Sequence, residues 1–348
     1  MLGAVDQGLI TAILALGVFL TFRILNFADL TVDGSFTAGT ATCAIMIFDG
    51  VNPIVATFGG MVAGALAGML TGLLHTKAHI DPLLSSILVM LAMYSINNHI
   101  MWLGNDGQQR SIVPLLGKTT ILSSLVKGRL LGTWTSVGLI FVGVLVVTLL
   151  VNWFLNTKFG LAVMATGDNP AMASSMGINT DVTKIVTLMI SNGLVGLSGA
   201  VTAQYVGTSA IGDGTGMILV GLASVILGNA IFGTRFLWLA TIGVVFGSVL
   251  YRVAIFWAIG TRFINTIDMK VTSAVLVALA LILPQLKWFQ AFIKWLVTLA
   301  SAVLPKKQGN TTAPEPMTVV PNQFSPFAEA DAAAQANATG IPAEGGAD

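Results

Sequence analysis

The run from Gly132 to Leu155 holds no Asp, Glu, Lys or Arg, and runs almost as poor in charge recur along most of the chain. Crossing the hydrocarbon core of a bilayer takes about 20 predominantly apolar helical residues. A segment of that length without charge is suited to lipid and poorly suited to water. The whole chain follows the same trend: 55% of its residues are hydrophobic and 9% charged, against roughly 25% charged in an ordinary soluble domain. The first expectation is therefore a polytopic membrane protein, all-α, built as a helix bundle.

Nine spans are predicted, at Gly8–Leu25, Gly34–Phe48, Pro53–Leu74, Leu83–Leu103, Gly132–Leu155, Ile185–Val206, Met217–Phe232, Phe236–Trp257 and Val271–Leu286. The N-terminus has no basic region before its apolar run and carries Asp6, so the first segment reads as a retained span and not a cleaved signal. Lys287–Leu304 mixes Trp288, Phe292 and Trp295 with Lys287 and Lys294. It reads as an amphipathic helix lying in the interface, with a tenth span as the alternative. Residues 1–304 then form the membrane domain. Pro305–Asp348 is rich in Ala, Pro, Gly and Asn and reads as a disordered cytoplasmic tail. Lys and Arg slightly favour the side holding Arg23, Lys77, Lys158 and Lys184. That side is expected to be cytoplasmic and the N-terminus external.

Several function classes are excluded or disfavoured. A net charge of +1 gives no footprint for nucleic acid. Cys43 is the single cysteine, and His75, His79 and His99 form no ligand cluster, so no metal site and no cofactor is expected. Gly117-Lys118-Thr119 is a near miss for a phosphate-binding loop. The loop needs a glycine where Ile112 stands, so the chain should not hydrolyse ATP itself. No catalytic arrangement is evident.

Glycines fall every fourth residue at Gly60, Gly64, Gly68 and Gly72, and again at Gly243 and Gly247. Such a stripe lets helices approach closely, in static packing or at a moving interface. Polar residues inside apolar spans are costly and point to function or to helix–helix hydrogen bonds. Asn97, Asn98 and His99, Asn192, Gln204 and Asn229 are of this kind. Arg252 is placed near the outer boundary, where its head can snorkel to water.

Two segments stand out. Asn26–Phe36 (NFADLTVDGSF) sets Asp29 and Asp33 between apolar runs. It is either a loop at the membrane face or a broken helix lining a path, since irregular backbone at depth needs protein or a cavity around it. Lys158–Lys184 is a polar loop with the grammar of one short helix, Pro170–Met176. Asn169 is its cap, Pro170 its first residue and Gly177 its stop. So short a helix persists only by packing on something, as a surface connector or as a docking element.

The residues Gly160, Ala165, Gly167, Asn169, Ala171, Ala173, Gly177 and Ile178 resemble the cytoplasmic coupling loop of permeases serving branched-chain amino acid and ribose-type ABC importers. Asp29-Leu30-Thr31-Val32 with Gly34-Ser35 resembles the D-L-S-V-G-S segment of ribose-type members, with Asp33 as an extra residue. Ile80–Leu84 and the glycine-rich stretch Gly207–Gly221 also look familial, and the likeness covers Gly8–Leu286, nearest to the uncharacterised or tryptophan/tyrosine-type subgroup. It implies a broken second helix and a coupling helix that docks in a separate ATPase subunit. ATP is then used by that partner. Gly160, Ala165, Gly167, Asp168, Asn169, Pro170, Ala173 and Gly177 would serve coupling. Asp29, Thr31, Asp33, Asn97, Asn98 and Asn192 are candidates for the path. An extracytoplasmic solute-binding protein and a second permease copy or close paralogue are the other implied partners, in the inner membrane. The solute would be an amino acid or related compound. The rival reading is an ion-coupled secondary transporter or channel using Asp29 and Asp33.

Overall fold

The computed structural model describes residues 1–103, 111–115, 117–121, 133–233 and 236–260, together with 275 and 278. Contacts divide the chain into two compact units, Met1–Leu296 and Val297–Asp348. Everything below concerns the first. The span Val271–Leu286, apart from residues 275 and 278, lies outside the described residues, as do the segment Lys287–Leu304 and the tail from Pro305.

Ten helices and two short strands are described. They are α1 (Leu2–Val18, continued by a π-helical turn Phe19–Ile24), α2 (Thr31–Phe48), α3 (Pro53–Thr76), α4 (Pro82–Leu103), β1 (Ile112–Pro114) and α5 (Trp134–Leu155). They continue with α6 (Lys158–Asp168), α7 (Pro170–Ser175), α8 (Thr180–Val206), β2 (Thr208–Ala210), α9 (Met217–Phe232) and α10 (Leu237–Gly260). The fold is helical as expected, with one addition. β1 pairs antiparallel with β2, Val113 opposite Ser209, in a small ribbon that ties the connection after α4 to the end of α8.

Helix starts follow from local chemistry. Asn52 accepts from Ile54 N at 3.0 Å with Pro53 in the first turn. Asp81 accepts from Leu83 N at 3.0 Å, again with a proline following. Such residues satisfy amide donors that the first turn leaves open. At the far end of α1, Asn26 adopts a positive φ of 54°. Asparagine tolerates that left-handed region better than most residues, and the helix stops there.

Six described helices are long and apolar enough to cross a membrane. They are the Leu2–Ile24 helix, α3, α4, α5, α8 and α10. Two of the predicted spans lie outside this set. Gly34–Phe48 is part of a helix that begins at Thr31, but it falls outside this set. Its threonines and serines face protein: Thr31, Ser35, Thr37 and Thr40 are all buried. Met217–Phe232 is a helix of 16 residues, about 24 Å long against a hydrocarbon core of about 30 Å. The reading by composition treated each apolar run as a crossing. α2 is buried along most of its length, whereas α9 buries one face and leaves Leu219 exposed.

The centre of the bundle is α1. Serines from two helices donate to its backbone carbonyls: Ser191 to Gly17 O at 2.7 Å, Ser198 to Ile10 O at 2.9 Å and Ser248 to Gly8 O at 2.6 Å. Without a hydrophobic driving force between helices in lipid, such bonds and close packing hold a bundle together. The glycine stripe of α3 packs on α8. A Cβ on Gly64 would run into Asn192 O, and one on Gly68 into Leu188 O. Gly243 and Gly247 of α10 play the same part against Gly228 of α9.

One end of the bundle gathers Arg23, the α3–α4 turn, α6, α7 and the start of α8. There Lys77 faces Asp181 at 3.9 Å and Lys184 meets His75 at 3.2 Å. The other end holds the N-terminus and the β-ribbon. Lys118 there donates to Phe48 O at 3.0 Å.

Candidate translocation site and docking helix

The Asn26–Phe36 segment holds a short break between helices, residues 26–30, with Phe27 and Asp29 buried in protein, and then the first turns of α2. After α1 ends, the chain turns back and α2 starts level with Thr71, whose hydroxyl meets that of Thr31 at 2.7 Å. Thr71 lies about 8 Å inside the Thr76 end of α3, at about 1.5 Å per residue. The turn is held by a buried polar chain. Asp29 accepts from Thr31 N at 2.9 Å and from Asn192 Nδ2 at 2.6 Å, and Asn192 Oδ1 accepts from Ser35 at 2.7 Å. Asp29, Thr31, Ser35 and Asn192 are fully buried. Sequence reasoning named three of these four, and they form one network.

Asp33 lies on the next turn and faces a different element. Its carboxylate accepts from Gly216 N at 2.8 Å and Ile218 N at 2.9 Å. Those amides open the first turn of α9, so a side chain of α2 caps another helix. Gly216 sits at φ 83°, and Gly214 packs directly on the Asp33 carbonyl and the Thr37 hydroxyl. A Cβ at Gly214 would collide with both, which accounts for glycine there. The 207–216 connection therefore descends between helices, and α9 begins inside the bundle, with Gly221 against Val18 and Leu14 in the middle of α1. Two interrupted segments meet at Asp33.

Beside that junction is a cavity of about 230 Å³ lined by Asp33, Gly34, Thr37, Tyr94, Asn97, Thr215 and neighbouring apolar residues. Asn97 donates to Gly34 O at 3.0 Å, and its Oδ1 has no partner among the described residues. Asn98 does not join this group. It is exposed on the other face of α4, one residue further round the helix. Tyr94, 62% exposed at the mouth, was not anticipated. It lies three residues before Asn97, so helical spacing from Asn97 would have found it. Gln204 is structural: it donates to Thr57 at 2.7 Å and to Cys43 Sγ at 3.3 Å, and accepts from Ile121 N at 3.0 Å.

At the opposite site, Lys158–Lys184 contains two helices where one was expected. Thr157 accepts from Gly160 N at 3.1 Å and starts α6. Gly160 and Gly167 let it lie against Leu155 and the Ile24 carbonyl, and its buried Val163 joins Leu25, Phe27 and Leu188. α7 forms where expected: Asn169 accepts from Met172 N at 3.0 Å, Pro170 follows, and Gly177 takes φ 83°. Ala173 is buried and is the residue by which α7 rests on its own domain. Ala165 is half-buried, while Asp168, Asn169 and Pro170 are exposed. The outward face carries Met172, 45% exposed, and Met176, 72% exposed, with Leu161 and Val182 exposed nearby. Sequence reasoning named the glycines and alanines and missed these methionines. Apolar residues exposed next to a short helix were the available signal.

A helix bundle that encloses two interrupted segments and a polar cavity, and presents a short apolar-faced helix at one end, has the architecture of a membrane transport protein. The chain belongs to the family described as the permease component of the branched-chain amino acid transport system, which matches residues 1–283. It is 36% identical to the tyrosine transport system permease protein of Clostridioides difficile, over 80% of this chain and 88% of that one. It is 32% identical to the uncharacterized protein RP368 of Rickettsia prowazekii, over 67% and 78%. A probable branched-chain amino acid transport permease protein, LivH of Methanocaldococcus jannaschii, is 28% identical over 57% and 63%. Among solved structures, a chain of PsaBC from Streptococcus pneumoniae in complex with Fab is similar at a TM-score of 0.48 and 13% identity, over 80% and 89%. The protein is a multi-pass membrane permease subunit of an ABC importer and not itself an enzyme. Family membership implies a separate ATPase subunit and a solute-binding protein as partners.

Proposed function

We propose that this permease moves an amino acid or closely related solute through the cavity beside Asp33 and Asn97, driven through α7 by an ATPase that docks on Met172 and Met176. The observation that carries the reading is the mounting of α7: one buried residue, Ala173, with the apolar Met172 and Met176 turned outward. A helix so short does not hold itself in water, and an apolar face at the end of a bundle suits a protein partner. The α6–α7 end is then cytoplasmic and the N-terminus external. Two copies, or this chain with a close paralogue, surround the path. ATP is bound and split by the partner. The amino acid class rests on the likeness to a tyrosine transport permease.

The coupling motion needs an ATP-bound state that prefers one permease conformation over another. The junction of α2 with α9 is a suitable place for that difference, because Asp33 joins the two interrupted segments. An ion-coupled mechanism gains little support. Asp29 and Asp33 each already accept two N–H groups within the protein.

The test is uptake into proteoliposomes holding the permease, its ATPase and its binding protein. Uptake of a labelled amino acid should need ATP and survive a protonophore. Uptake without ATP that collapses with the protonophore would overturn the proposal.

A further inference from the structure

A second cavity, of about 430 Å³, lies on the other side of the 207–216 connection from the Asn97 cavity, towards α1 and α10. It contains one cation and one anion. Arg252 is the one charged residue of α10, and Asp213 projects from the turn after β2. The two do not neutralise each other: the only ion pair among the described residues is Lys77 with Asp181.

The placement of Arg252 differs from the expected snorkelling. Its Cβ is level with Gly8, but its Nε reaches Thr11 Oγ1 at 3.2 Å, one helical turn further into the bundle. The Nε edge of the guanidinium faces inward. A guanidinium carries five N–H donors, and Thr11 is its one hydrogen-bond partner among the described residues. A cation held at this depth is costly unless an anion meets it. Asp213 is fixed by its own turn, with Oδ2 accepting from Ala210 N at 2.7 Å. Gln7 and Tyr205 add polar groups to the wall, and Phe36 and Met217 add an apolar surface. The volume falls in the range of small-ligand pockets, about 300–1,000 Å³.

We infer that this cavity is a binding site for a zwitterionic α-amino acid, its carboxylate on Arg252, its ammonium on Asp213 and its side chain against Phe36 and Met217. A guanidinium pairs with a carboxylate through two parallel bonds, the best-matched partner for its fork. The cavity opens near the N-terminal end of α1, the β-ribbon end of the bundle, so it would receive solute on the side opposite α7. The inference rests on the amino acid reading above and goes beyond it by naming the groups that read the solute. A zwitterionic phospholipid headgroup offers similar chemistry, and the test separates the two.

The assembled importer is placed in nanodiscs made only of phosphatidylglycerol, without nucleotide or binding protein. Equilibrium binding of tritiated L-tyrosine, tyramine and hydroxyphenylpropionate is measured. L-Tyrosine should bind saturably. Arg252→Gln should weaken L-tyrosine and hydroxyphenylpropionate about tenfold or more and spare tyramine, as loss of a charge-assisted pair predicts. Asp213→Asn should weaken L-tyrosine and tyramine and spare hydroxyphenylpropionate. Arg252→Lys, which keeps the charge where Arg252→Gln fails to assemble, should retain part of the carboxylate preference. No saturable binding, or variants that weaken all three probes alike, overturns the inference. So does native mass spectrometry from phosphatidylethanolamine discs that finds this lipid retained by the parent and lost from Arg252→Gln, with no amino acid bound in either disc. ATP-dependent uptake is measured in parallel with binding protein added. Uptake without binding sinks this site and leaves the importer reading intact; absence of both sinks that reading too.

Discussion

Asp33 on α2 caps a helix to which it does not belong: its carboxylate accepts from Gly216 N at 2.8 Å, and Ile218 N adds a second bond at 2.9 Å. The start of α9 is thereby fixed to α2. Asp33→Leu should leave both amides without an acceptor, at a cost of about 1–3 kcal/mol for each unsatisfied group. The variant should melt earlier in detergent and lose uptake. Asp33→Asn keeps one acceptor oxygen and should retain folded yield and part of the uptake. Equal behaviour of the two in thermal unfolding would remove the capping role.

Asn192 is the hinge of the buried chain that closes the interruption after α1. Asn192→Leu deletes its bonds to Asp29 and Ser35 and leaves the buried Asp29 with Thr31 as its remaining partner. Removing one partner of a buried charged group typically costs about 3 kcal/mol or more. Thermal unfolding of the purified permease should show the loss, and Asn192→Gln, which keeps the amide but displaces it by one methylene, should restore only part of it.

Gly64→Val tests the packing of α3 on α8. Its Cβ would meet the Asn192 carbonyl, and backbone does not move aside as a flexible side chain can. Overpacking of this kind costs about 1–3 kcal/mol. Gly138→Val on α5, with open space around its position, is the matched control and should be silent in size-exclusion and unfolding profiles.

Met176→Glu and Met172→Glu address docking without disturbing α7, since both side chains face outward. Uptake should fall several-fold while the permease stays folded and the ATPase keeps its basal turnover. Ala173→Glu differs in kind. It buries a charge between α7 and its own domain, so loss of folded yield is expected along with loss of uptake. Wild-type uptake in both methionine variants would count against the docking face.

Much of this architecture is written in short-range chemistry. Asn52-Pro53, Asp81-Pro82 and Asn169-Pro170 each announce a helix start, and each does start one. The α3 glycines announce a close approach, and α8 supplies it. The pairing of Asp29 with Asn192 lies across 163 positions and that of Asp33 with Gly216 across 183, so spacing could nominate the residues but not join them. Hydropathy marked α2 and α9 as spans and left their packing open. It measures tolerance for lipid and not the neighbours a helix meets: α2 is buried along most of its length, and α9 begins beside α1. The outward turn of Met172 and Met176 depends on which face of α7 rests on the bundle, and six residues carry too little pattern to decide that.

The serine bonds to α1 also set an order of events at the ribosome. The first helix to be synthesised waits for partners 174, 188 and 240 positions downstream. At about 5–20 residues per second, that wait is on the order of ten seconds or longer. Throughout it the Gly8, Ile10 and Gly17 carbonyls lack their final donors, and α1 must lodge beside temporary neighbours. A nascent chain stopped short of Ser248 would leave α1 without its last clasp, which makes the interval before α10 emerges the vulnerable stage in the life of this protein.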